Sequence, residues 1–155
     1  PVDHWGFALS VNFLFILVFT ILFGALFTCD YSSRYFTTKP FEQHGTFYRW
    51  CGVKYYMFLL KLIGWNKVIR KDLPIKNNMN ALKNYEVSTR VSEIIHLISA
   101  IFASVVIIWI AWGYSLRKIH WLVISNILFN IYPVMLQRYI RQRINRLIKN
   151  KELYT

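Results

Sequence analysis

The chain has 155 residues, enough for one domain. It is 55% hydrophobic and 18% aromatic but only 17% charged, well short of the roughly 25% typical of soluble domains, which points to lipid as a solvent. Nineteen Lys and Arg against seven Asp and Glu give a net charge of +12; this suits anionic headgroups or phosphorylated ligands, and the apolar runs that split the charge argue against nucleic acid. The two cysteines, Cys29 and Cys51, form no CxxC, zinc spacing or disulfide framework.

Residues 7–29 carry no charge and predict a first transmembrane helix, since ~20 residues at ~1.5 Å each cross a ~30 Å hydrocarbon core. Asp3 and His4 precede it where a signal peptide would carry Lys or Arg. A break is expected at Lys39-Pro40, and a turn at Gly45 after Glu42 and His44. Residues 50–65 are apolar but carry Lys54 and Lys61 on one helical face. They predict an amphipathic helix lying in the interface, with a re-entrant piece or a crossing as alternatives. Residues 66–85 are the most polar stretch. With Leu73-Pro74 and an asparagine-rich run, they read as a water-exposed loop or lid.

Residues 94–116 predict a second crossing. It opens on Glu93 and His96, which share a helical face. Ionisable groups at the mouth of a membrane helix suggest chemistry or a polar ligand; equally, they mark a helix start, with Ser88 or Thr89 as cap. Ser99 with Ala103, and Ala100 with Ser104, are small pairs that admit a neighbouring helix. Residues 119–137 predict the third crossing. Asn126, Asn130, Gln137 and Arg141 fall on one stripe, expected to face inward. Pro133 lacks an N–H, so it frees the carbonyl of Phe129 and predicts a kink. Residues 138–151 read as a basic surface helix. The fold class expected is therefore all-α integral membrane: three transmembrane helices, an interfacial or re-entrant helix and a basic C-terminal helix.

With three crossings, the end of the first, the start of the second and the end of the third share one membrane face. Eleven Lys and Arg in residues 30–93 and six after Gln137 lie on that side, and only Arg117 and Lys118 on the other. The positive-inside rule places the N-terminus outside and the main loop and C-terminus in the cytoplasm of a multi-pass cell-membrane protein. Glu42, His44, Glu93, His96, Asn130, Gln137, Arg138 and Arg141 are then expected at one interfacial cleft.

Three blocks carry a resemblance: Phe41-Glu42-Gln43-His44-Gly45-Thr46-Phe47-Tyr48, Glu93-Ile94-Ile95-His96, and Asn130 followed by Gln137-Arg138-Tyr139-Ile140-Arg141-Gln142-Arg143. In this order they resemble the family of glycosyl-4,4'-diaponeurosporenoate acyltransferase, a small membrane enzyme of bacterial carotenoid (staphyloxanthin) biosynthesis, over about residues 41–147. The resemblance implies acyl transfer from an activated donor, acyl-CoA or another, to a hydroxyl of a lipid or glycolipid acceptor. Such chemistry needs a base and oxyanion donors. His96 is the candidate base with Glu93 as orienter, or the order reverses with His44 as base. Asn130 or Gln137 is the candidate oxyanion donor. Arg138 and Arg141, with Tyr139 and Glu42 beside them, are candidates for binding substrate. Membrane lipids are the expected surroundings, and neither cofactor nor metal is required. Two alternatives stand beside this. One is a non-catalytic membrane subunit or lipid-binding scaffold, with Glu93 neutralising Arg138 or Arg141. The other is a metal-dependent enzyme using His44, His96, Glu93 and Glu42.

Overall fold

The structure, a computed structural model, describes residues 4–24, 34–65, 78–113 and 116–153. The expected end of the first crossing (25–29) and the polar stretch 66–77 lie outside these residues. Every described element is helical: α1 (Trp5–Gly24), 3-10 turns at Arg34–Phe36 and Pro40–Gly45, α2 (Thr46–Trp50), α3 (Val53–Leu62), α4 (Met79–Gly113), α5 (Leu116–Asn126), a π turn (Ile127–Ile131) and α6 (Tyr132–Leu153). Three stretches are long and apolar enough to span a membrane: Trp5–Phe23, Met79–Gly113 and Ile119–Leu153. The chain divides into two compact units, Pro1–Cys29 with Val91–Val134, and Asp30–Arg90 with Met135–Thr155.

In the first unit, α1 has 20 residues, about 30 Å of helix. Its buried residues Ala8, Asn12 and Phe19 lie four and seven apart, one stripe on the helix. Leu14, Leu17, Ile21 and Leu22 on other faces are exposed, as lipid-facing side chains are. Ala8 packs with Ile110, Ile119 and Leu122, and its methyl lets another backbone approach closely. Phe102 of α4 meets the rings of Phe15 and Phe19, with centroids 5.9 and 5.0 Å away. Lipid tails are as apolar as these side chains, so such packing gains dispersion energy rather than hydrophobic free energy. Polar contacts therefore carry much of the specificity between these helices.

Helix α4 begins earlier than its hydropathy suggests. It runs for 35 residues from Met79, about 52 Å, where the sequence pattern placed residues 78–85 in a loop. Asn78 starts it: its Oδ1 accepts from the backbone N–H of Asn80 at 3.0 Å and of Ala81 at 3.3 Å, as an N-cap does. Leu82, Glu86, Thr89 and Glu93 are then buried at helical spacings of four, three and four.

In the second unit, Tyr48, Val53, Leu136 and Tyr139 form the buried cluster. Gly45 sits at φ 97°, a conformation that disfavours side chains. A Cβ there would lie 3.1 Å from Gln142 Oε1 and 3.2 Å from the Tyr139 ring. The turn expected at Gly45 thus brings the chain hard against α6. Helix α3 has 10 residues, about 15 Å, half the hydrocarbon thickness. It leaves Tyr55, Phe58, Leu59 and Leu62 exposed.

Candidate functional site

The candidate residues divide between the two units. Glu93, His96 and Asn130 belong to the first; Glu42, His44, Gln137, Arg138, Tyr139 and Arg141 belong to the second. The side chain of His44 lies outside the described part of the chain.

In the first unit the site is built on a break in helix geometry. Pro133 is buried and offers no N–H to Phe129. Just before it the chain makes a π turn, in which the N–H of Tyr132 donates to the carbonyl of Ile127. Such turns widen a helix locally and recur at functional sites. The His96 imidazole, partly exposed, lies beside the Phe129 backbone and the Asn130 side chain. The carbonyl that proline leaves unpaired is therefore next to the one imidazole on α4. Glu93, one turn before His96, is fully buried.

Asn130 is also fully buried, and its amide nitrogen is committed. It donates to Asn12 Oδ1 at 2.6 Å and to Asn126 Oδ1 at 2.9 Å. Asn12 in turn donates to the Ala8 carbonyl at 2.9 Å and Ser125 Oγ at 2.8 Å. Asn126 donates to the Ala100 carbonyl at 3.3 Å and Ser104 Oγ at 3.1 Å. Both amide hydrogens of Asn130 are therefore occupied. The group it presents is an acceptor, opposite to what stabilising an oxyanion needs.

In the second unit Glu42 is a hub. Its Oε1 accepts from Tyr48 Oη and, at 2.9 Å, from Arg138 Nη1. Its Oε2 accepts from the Lys39 N–H at 2.8 Å and Gln142 Nε2 at 3.0 Å. Four donors fill a carboxylate that is only 3% exposed, so Glu42 is an anchor and neither a free base nor an open ligand. Arg138 reaches on to the Tyr35 carbonyl at 3.3 Å and covers the Tyr35 ring at 4.7 Å. The guanidinium groups of Arg141 and Arg90 lie 5.1 and 5.4 Å from the Phe36 ring centre, within cation–π range. Tyr139 is core, under the Arg143 guanidinium at 6.0 Å, and Gln137 is half-buried.

Burial raises the Glu42 carboxyl, but hydrogen bonds from Tyr48, Lys39 and Arg138 and the Arg138 charge outweigh it, and the group lies below the usual 4.5. Burial, and then the Glu42 carboxylate, push the Tyr48 phenol up, so it remains a donor at every ordinary pH. A carboxyl lowered on folding binds its proton less well folded than unfolded. Its stabilisation is complete above pH 4.5 and is lost as pH falls through the folded value. Limited proteolysis of this unit is expected to accelerate as the pH drops below 4.5. Glu42→Gln should be more labile at neutral pH and should lack that acid-dependent step.

Sequence reasoning missed Asn12, Tyr48 and Gln142. Asn12 had one signal, its position one turn after the small Ala8. Gln142 had another, its position one turn after Arg138. Among the described residues no three His, Cys, Asp or Glu side chains lie together as a metal site.

No curated protein and no solved structure matches the chain. A family model described as glycosyl-4,4'-diaponeurosporenoate acyltransferase matches residues 32–150. That span contains the Glu42 hub, the Glu93 and His96 face and the π turn, and leaves α1 with Asn12 outside. The family's name is that of an acyltransferase of carotenoid chemistry, and by this match over most of its length the chain belongs to the glycosyl-4,4'-diaponeurosporenoate acyltransferase family.

Proposed function

We propose that the protein transfers a fatty acyl group from an activated donor, such as an acyl thioester, to a hydroxyl of a lipid or glycolipid acceptor at the cytoplasmic membrane face. The observation that carries this reading is the setting of His96: a partly exposed imidazole in an apolar helix, beside a proline-freed carbonyl and a buried amide. A neutral imidazole held in this way suits general-base work. It takes the proton of the acceptor hydroxyl as the oxygen attacks the acyl carbonyl carbon. The carbon–sulfur bond breaks, and the imidazolium returns its proton to the departing thiolate. An ester and a free thiol result.

Membership of an acyltransferase family supports the reaction class. Glu93, three residues before His96 and so on the same helical face, is the proposed orienter or counter-charge of the imidazolium. The Asn130 amide hydrogens are engaged, so Asn130 is not the oxyanion donor. Arg138 and Arg141 act through Glu42 and Phe36 as supports for the substrate-binding segment. The exposed cations Arg143 and Lys149 on α6 suit phosphates of a donor or of anionic lipid. The exposed apolar side of α3 suits the interface.

The test is direct. Full-length protein in vesicles containing a glycolipid with free sugar hydroxyls is given radiolabelled long-chain acyl-CoA on one side. Labelled acyl ester should appear in the lipid fraction, and more slowly with His96→Ala. Absence of labelled ester across lipid and glycolipid acceptors, with correctly inserted protein, rules the reading out.

A further inference from the structure

Helix α3 is apolar on two opposite sides. At about 100° per residue, Val53, Tyr56, Met57 and Leu60 share one side, and they pack with Tyr48, Leu136 and Tyr139 in the core of the second unit. Tyr55, Phe58, Leu59 and Leu62 share the other side and are exposed. A surface helix in water carries polar residues there. Lys54 and Lys61, the two charged residues of α3, are exposed as well. Seven residues apart, they lie along one flank, between the two apolar sides.

Three observations select what the outer side meets. The first is length. Left-handed backbone at Gly52 and Gly64, with φ 82° and 79°, stops the helix at both ends. Its 10 residues span about 15 Å, too short to cross a ~30 Å hydrocarbon core but long enough to lie along one leaflet. The second is charge. Residues 43–71 contain Arg49, Lys54, Lys61, Lys67, Arg70 and Lys71 and no Asp or Glu, so the segment complements an anionic surface. The third is the pair Trp50 and Trp65, which stand just before and after α3 and are both exposed. Tryptophan favours the boundary between headgroups and acyl chains.

We propose that α3 lies flat in one leaflet as a seat for anionic lipid. Its outer apolar side enters the acyl chains. Lys54 and Lys61, about 10 Å apart along the axis, hold the phosphates of two neighbouring lipids, their methylene stems lying against the chains and their ammonium groups reaching outward. Val53 of α3 packs with Tyr48, whose hydroxyl donates to Glu42, so this seat also sets the depth of the Glu42 hub. The proposal goes beyond the acyl-transfer reading and does not depend on it.

The experiment places a single tryptophan at the centre of the outer side: Phe58→Trp in the full chain, with all six native tryptophans replaced by phenylalanine, reconstituted in vesicles. Phosphatidylcholine brominated near the carbonyl end of its chains should quench this tryptophan more than the same lipid brominated near the methyl ends. In vesicles where a minor share of the lipid is brominated, brominated phosphatidylglycerol should quench as though enriched about two- to fivefold over brominated phosphatidylcholine, the scale of one basic residue near an anionic surface. Lys54→Gln with Lys61→Gln should abolish that preference and leave the depth unchanged. Strongest quenching from the methyl ends would mean a re-entrant or crossing segment and overturns the proposal. Absence of quenching by any lipid would mean that water, a second copy or another protein meets this side, and also overturns it. Equal quenching by the two headgroups, or a preference that survives the double lysine variant, overturns the role of the lysines. If the tryptophan-free chain does not fold, a nitroxide at Phe58→Cys, with Cys29 and Cys51 replaced by serine, decides the same points. High accessibility to oxygen with low accessibility to a water-soluble nickel chelate supports the lipid seat, and any other pattern overturns it; broadening by spin-labelled phosphatidylglycerol against spin-labelled phosphatidylcholine gives the headgroup preference.

Discussion

Replacing His96 with alanine is expected to slow acyl transfer by about 10²- to 10⁴-fold, the usual worth of a positioned general base. The loss should fall on kcat, because a general base of the proposed kind acts as the proton leaves the hydroxyl and contributes little to holding either substrate. The variant should insert and fold. His96 is only partly buried. The structure sharpens the expectation further. Asn130 offers an acceptor, so glutamine at position 96 can still donate to it but cannot take a proton. His96→Gln should therefore keep the fold and lose the rate to a similar degree. His44→Ala is the necessary companion, since both histidines lie within the family match. Near-full activity in both alanine variants would exclude imidazole base catalysis in this chain.

The parts of this architecture that follow from local chemistry were legible in advance. An uncharged run long enough to cross a bilayer needs no partner to declare itself, and α1 follows it. Pro133 lacks an N–H wherever it is placed, so the free Phe129 carbonyl could be named from the chain alone. Its consequence, the π turn that precedes it, could not. Gly45 likewise announced a turn. What stayed hidden depends on which segments meet. Asn12 is neutral and does not interrupt a hydropathy run; its importance comes from Asn130, far along the chain. Tyr48 and Gln142 matter because they converge with Arg138 on one carboxylate, and convergence is not a local property. The start of α4 failed for a different reason. Asparagine favours loops and N-caps alike, and the run 77–84 was read by composition. The burial spacing through Leu82, Glu86 and Thr89 carried the helical signal instead. Glu42 as a partner of Arg138 was hidden for the same reason as Tyr48 and Gln142: the two lie far apart in the chain and meet only in the fold.

Glu42→Ala is expected to destabilise the second unit by about 3–5 kcal/mol, the cost of breaking a buried ion pair from one side. Glu42 and Arg138 are 3% and 15% exposed, so the guanidinium left behind has little access to water. Tyr48, Gln142 and the Lys39 N–H lose an acceptor in the same step, and unpaired buried donors cost about 1–3 kcal/mol each. These losses share one atom group and will not add, but even the lower bound is a large fraction of the ~5–15 kcal/mol that holds a domain together. Denaturant unfolding in detergent, followed by the fluorescence of Trp50 and Trp65 with the other four tryptophans replaced by phenylalanine, reads the change. Arg138→Met in the Glu42→Leu background should recover part of it, because two apolar side chains leave no stranded charge. This cycle also separates an anchor from a reacting group. A carboxylate used as base or ligand would, when replaced, leave a stable protein with lost turnover, and Arg138→Met would restore nothing. With all four acceptor positions of Glu42 filled, the expected outcome is the reverse: turnover falls only as far as the folded fraction does, and the double variant brings both back together.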